Sequence, residues 1–260
     1  MWTRRESVFG GALTLLFGTG LSCACQARPG GHTPQEGCLL GEKASNDLFK
    51  RATQGSTRSG GGGRGDQIIQ RSGDRDFDVA LAQSLSMMTD ILDAAPGFAF
   101  YDDAEGLNAY ATNRVRLNGT DGTVLFGQRL LKRLMSAREH PEISVAAVCA
   151  HEFGHILQFK RNLTEVVGAG QPTVKRVELQ ADFFGGFFAG KRKLAKPDFP
   201  AAVFALTQWN FGDNMLESPN HHGTARERAA ATVAGFEAGF RDRRTLADAI
   251  NVSINYVRTT

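Results

Sequence analysis

Two histidines and a glutamate in the stretch His151-Glu152-Phe153-Gly154-His155 have the types and the spacing that hydrolytic metal chemistry needs. On a helix, residues four apart share a face, so both imidazoles can turn to one divalent ion. Glu152 directly follows the first histidine and is placed to take a proton from a water held at that ion, the task of a general base. The competing reading is a solvated helix face that happens to carry these residues. The apolar, charge-poor run before His151 argues against it, because burying a His-Glu-His face without a partner is costly.

A catalytic zinc ion takes three protein ligands and keeps a fourth position open, so another donor is required. The segment Glu178-Leu179-Gln180-Ala181-Asp182 offers two acids four residues apart on a second helix, followed by Phe183, Phe184, Gly185, Gly186, Phe187 and Phe188. Glu178 is read as the third ligand. Asp182 would accept a hydrogen bond from a ligand imidazole and hold its orientation. The bland alternative is a pair of surface acids on an amphipathic helix. Gly185 and Gly186 weaken a helix unless close packing against another backbone compensates. The four phenylalanines read first as core, and second as a wall of a substrate cleft.

The elements that must position these side chains follow from periodicity and turn signals. Helices are expected over 77–92, 128–137, 142–160, 174–194, 201–210, 224–240 and 245–257. Pro141 sits at the first turn of the histidine helix, where proline is tolerated. Short strands are expected at 98–101, 108–116 and 123–126, and the segment 162–173 is expected as a loop joining the two ligand helices. The fold class is α+β, mostly helical with a small β-sheet beside the active-site helix.

The ligand motif together with Glu178-Leu179-Gln180-Ala181-Asp182 resembles the gluzincin metallopeptidases. Within them the chain is similar to the HtpX and CAAX-protease-like peptidases and to the bacterial putative neutral zinc metallopeptidases. Asn108-Ala109-Tyr110-Ala111 and Gly122-Thr123-Val124-Leu125-Phe126-Gly127 resemble the strand pair before the zinc helix in those families, and His222-Gly223-Thr224 with Arg228 resembles a downstream His-to-Arg element. These pieces span about Phe98 to Phe240 in the expected order. The resemblance implies a zincin-like domain with one zinc ion on His151, His155 and Glu178, and Glu152 as base. It also implies His222 and Arg228 as candidate stabilisers of the transition state. A peptide or protein substrate would pair along the strand edge at Asn108, Ala109 and Tyr110. Two departures stand out. The HtpX-like enzymes carry membrane spans, absent here beyond the N-terminal apolar run, and their downstream histidine precedes proline, where this chain has His222-Gly223.

The chain divides into three parts. Residues 1–27 read as an export signal: Arg4-Arg5 ahead of a mild apolar run from Val8 to Leu21 has twin-arginine character, and the run is too short for a membrane span. Cys23 and Cys25 are candidate lipid-anchor sites. The expected location is therefore periplasmic or extracellular. Residues 28–66, rich in glycine and serine, read as a flexible tether. Residues 67–260 read as the zincin-like metallopeptidase domain that the resemblance implies. Cys149, two residues before His151, reads as small core filler, and an exported setting permits a Cys38–Cys149 bridge without indicating one. The net charge of +3 on 260 residues, with scattered basic residues and no aromatic interleaving, gives no footprint for nucleic acid. Two other functions fit the same motif: a zinc-containing binding or chaperone-like module with little or no turnover, and a hydrolase of non-peptide bonds.

Overall fold

The computed structural model describes residues 68–69, 71–104 and 106–260. The export signal, the tether, Cys23, Cys25 and Cys38 lie outside the described residues. The first long helix, α1 (Arg75–Leu92), starts two residues earlier than its apolar pattern, because the Asp74 side chain accepts the Phe77 N–H and caps it.

Among the described residues four strands, β1 (Ile68–Ile69), β2 (Gly97–Tyr101), β3 (Ala109–Thr112) and β4 (Thr123–Gly127), form one sheet in the order β1-β2-β4-β3. β4 runs parallel to β2 and antiparallel to β3, so β3 is an outer strand of the described sheet. β3 is shorter than its sequence pattern, which continued to Arg116. The Thr112 hydroxyl accepts the Arg114 N–H and the Thr123 hydroxyl donates to the Arg114 carbonyl, drawing the chain out of the ladder.

Seven helices follow: α2 (Gln128–Met135), α3 (Pro141–Lys160), α4 (Leu163–Gly168), α5 (Lys175–Ala195), α6 (Ala202–Asn210), α7 (Ala225–Phe240) and α8 (Leu246–Thr259). The fold is α+β, a helical majority beside a small sheet. α4 occupies the segment expected to be a loop, because Leu163 and Val167 bury themselves against the neighbouring helices. No described helix is long and apolar enough to cross a membrane.

α3 is buried without a break from Val145 to Gln158, and α5 from Val177 to Gly190. A helix enclosed on all sides loses the usual apolar stripe. α3 packs against α1, α2, α5, α6 and β3, and is the axis of the domain. The paired glycines of α5 serve two contacts. Gly185 faces the backbone of α3 at His151, whereas a side chain on Gly186 would collide with the Thr232 carbonyl of α7. Gly235 of α7 answers Gly186, since a side chain there would strike the Phe183 carbonyl. α5 and α7 therefore lie backbone to backbone in the same direction. Phe183, Phe184, Phe187 and Phe188 are all core. Cys149 is buried and bonded to no other cysteine among the described residues, and burial pushes its pKa upward.

Candidate metal centre

His151 and His155 lie one turn apart on α3, with ring centroids 4.6 Å apart and planes nearly perpendicular. Glu178, in the first turn of α5, faces both: Oε2 is 3.3 Å from His151 Nε2 and Oε1 is 3.5 Å from His155 Nε2. One ligand atom from each residue lies within 4.8 Å of the others. The helices cross closely at this level because Gly154 has no side chain; a Cβ there would stand 2.9 Å from the Ala181 carbonyl.

Each imidazole turns its Nδ1 edge to a buried acceptor. His151 Nδ1 lies 2.8 Å from Asp182 Oδ1, and His155 Nδ1 lies 2.7 Å from Gln158 Oε1. Asp182 is ionised: burial alone would raise its pKa, but Arg228 and His151 hold it below the ordinary carboxylate range. The two Nε2 atoms are left facing each other at 3.1 Å, with the Glu178 carboxylate beside them. Burial opposes ionisation of Glu178 too, yet the two imidazoles and His222 keep its pKa well below the usual value. Two lone-pair edges and a carboxylate that meet in a buried space repel one another unless a cation lies between them.

In the absence of a metal, a proton is the cation the pair can take. Burial disfavours charge on both rings, but the adjacent Asp182 raises the His151 pKa to about 10, while burial dominates at His155 and lowers its pKa. Two imidazoles and one carboxylate are a donor set suited to a divalent ion of the zinc type, so the residues fit the group.

Glu152 lies beside His151 and is buried to within 1 % of its surface. Both line a small cleft with Asn108, Ala109, Gln208, Phe211 and Arg228. The Ala109 N–H is taken by Asn108 Oδ1 at 2.9 Å. Tyr110 does not line the cleft; its ring packs on Tyr101.

Arg228, a candidate stabiliser of the transition state, lines the cleft and also reaches behind the His151 ligand. Its guanidinium holds Asp182, the Gln208 side chain and the Phe211 carbonyl. His222 is buried, and Asp213 grips it at both the backbone N–H (2.8 Å) and Nδ1 (3.1 Å), while also holding His221 at 2.5 Å. These contacts keep the Asp213 pKa below its usual value against the opposing effect of burial. Gly223 follows with a φ of +109°, a backbone conformation that proline's ring forbids. Gln158, Gln208 and Asp213 escaped the sequence reading, since an amide or a lone acid has no spacing signature. No protein-family model matches the chain, and no curated protein or solved structure is significantly similar to it.

Proposed function

We propose that this chain is a zinc-dependent endopeptidase of the gluzincin kind, built on a zincin-like fold. The observation that carries the reading is the buried meeting of His151, His155 and Glu178, with Glu152 next to them on the wall of a cleft that reaches β3. Zinc held by these three residues would polarise the scissile carbonyl and acidify a water. Glu152 would take a proton from the attacking water and hand it to the leaving amine. Asp182, anchored by Arg228, keeps His151 oriented. His222, held from two sides by Asp213, is the candidate donor to the developing oxyanion. A peptide laid along β3 would take over the Ala109 N–H from the Asn108 side chain and extend the sheet.

Export, by the signal read at residues 1–27, belongs to the same proposal and is checked by mass spectrometry of the mature N-terminus. The enzymatic test combines metal analysis of the purified chain with digestion of a peptide library, with and without chelator. Glu152→Gln is expected to bind zinc as the parent does and to lose about 10²- to 10⁴-fold in hydrolysis. A parent chain that binds no zinc, or full hydrolysis by the variant, overturns the reading. Zinc binding without cleavage of any peptide would favour a binding module instead.

A further inference from the structure

The two histidines are backed by different chemistry. Behind His151 stands a carboxylate, whereas behind His155 runs a neutral chain of hydrogen bonds. His155 Nδ1 meets Gln158 Oε1 at 2.7 Å. Gln158 Nε2 donates to the Val177 carbonyl at 2.8 Å and to Gln180 Oε1 at 2.9 Å. Gln180 Nε2 donates to Ser253 Oγ at 3.0 Å, and Ser253 Oγ donates to the Ile250 carbonyl at 2.7 Å. His155, Gln158, Gln180 and Ser253 are all fully buried.

The direction of every link follows from the two ends. A backbone carbonyl only accepts, so Val177 identifies the end of Gln158 that is the NH₂ group, and Ile250 fixes the serine proton. Gln180 must then present its oxygen to Gln158 and its nitrogen to Ser253. The remaining Gln158 oxygen faces His155 Nδ1, which has to be the donor. The lone pair of His155 is thereby confined to Nε2, the edge that faces His151 and Glu178.

We infer that Gln158, Gln180 and Ser253 are a positioning relay that locks His155 in the tautomer a metal ligand needs and builds α8, at the end of the chain, into the site. The relay orients the His155 ring without adding charge, whereas a carboxylate orients His151. The effect on metal binding rests on the metal-centre reading; the hydrogen-bond directions do not.

The test uses the full chain. Long-range nitrogen-15 correlation spectra of the histidine rings, taken without metal, should show His155 protonated at Nδ1. Gln158→Leu should lose that signature, and its zinc affinity, read by competition with a chromophoric chelator, should fall about 10- to 100-fold. Ser253→Ala, which removes a single hydroxyl, should shift both in the same direction by a smaller factor, and it carries the test if Gln158→Leu does not fold. A parent His155 protonated only at Nε2 overturns the relay, as do folded variants with unchanged ring signature and zinc affinity. A parent chain with the Nδ1 proton in place that binds no zinc removes the metal-centre reading and leaves the relay standing.

Discussion

Arg228 grips Asp182 with two nitrogens, Nε at 2.7 Å from Oδ2 and Nη2 at 2.8 Å from Oδ1, and neither side chain is more than 1 % exposed. The pair ties the start of α7 to α5 behind the His151 imidazole. A planar guanidinium suits this task because its fork matches the carboxylate. The same ion pair keeps Asp182 charged, and a charged Asp182 accepts the Nδ1–H of His151 and leaves Nε2 for a metal.

Arg228→Leu therefore strands a buried carboxylate. The expected loss is about 3–5 kcal/mol of stability, measured by urea unfolding, with a fall in zinc affinity. Adding Asp182→Asn should restore part of the stability. An Arg228 that acted on substrate alone would change turnover and leave the unfolding midpoint in place.

Gly154 sets the distance between the ligand helices. In Gly154→Ala the new methyl meets the Ala181 carbonyl at 2.9 Å and presses α5 away from α3. A destabilisation of about 1–3 kcal/mol is expected, and zinc binding should weaken with it as Glu178 is carried off the imidazoles. Equal zinc affinity in a folded variant would show that the crossing has slack.

Gly235→Ala probes the other side of α5. Its methyl runs into the Phe183 carbonyl, a backbone atom with no rotamer to escape into. The expected cost is about 3 kcal/mol, at the upper end for an overpacked contact. Calorimetry should show a lower Tm, and zinc affinity should drop because the Arg228 to Asp182 reach depends on the same helix spacing.

Glu227 gives a pH dependence that avoids the metal ligands. It closes the capping box of α7 and pairs with Lys175 at 2.9 Å. Burial would raise its pKa, but Lys175 and the Thr224 N–H outweigh that and lower it from 4.5. A depressed carboxylate stabilises the fold above its unfolded pKa, and that contribution is lost as pH falls through the folded value. Glu227→Gln keeps the cap but not the charge, so it should cost about 0.5–1 kcal/mol at pH 7. The difference from the parent should begin to shrink as pH falls below 4.5 and vanish below the lower folded value, in paired denaturation curves. A constant offset across that range would assign the effect to the cap.

Much of the site was legible along the chain because its key spacings are local. The four-residue interval that puts His151 and His155 on one face, and Glu178 and Asp182 on another, is a property of any helix. Helix positions, the core role of the phenylalanines and the need of Gly185 and Gly186 for a close neighbour follow from the same short-range rules. Long-range contacts settled the remainder. The sheet order, with β3 outside β4, depends on ladder pairing between segments that local pattern cannot register. α4 forms because tertiary burial of Leu163 and Val167 overrides weak local propensity. Arg228 is a candidate for the transition state by resemblance alone, and its grip on Asp182 exists only because α5 and α7 meet backbone to backbone. Gln158 and Ser253 are 95 residues apart in the numbering, 253 less 158, and only the packing of α8 on α5 makes them one relay. A helix repeats every 3.6 residues and announces its faces in a few turns; which faces meet is a matter of packed surfaces, and those exist only once the chain has folded.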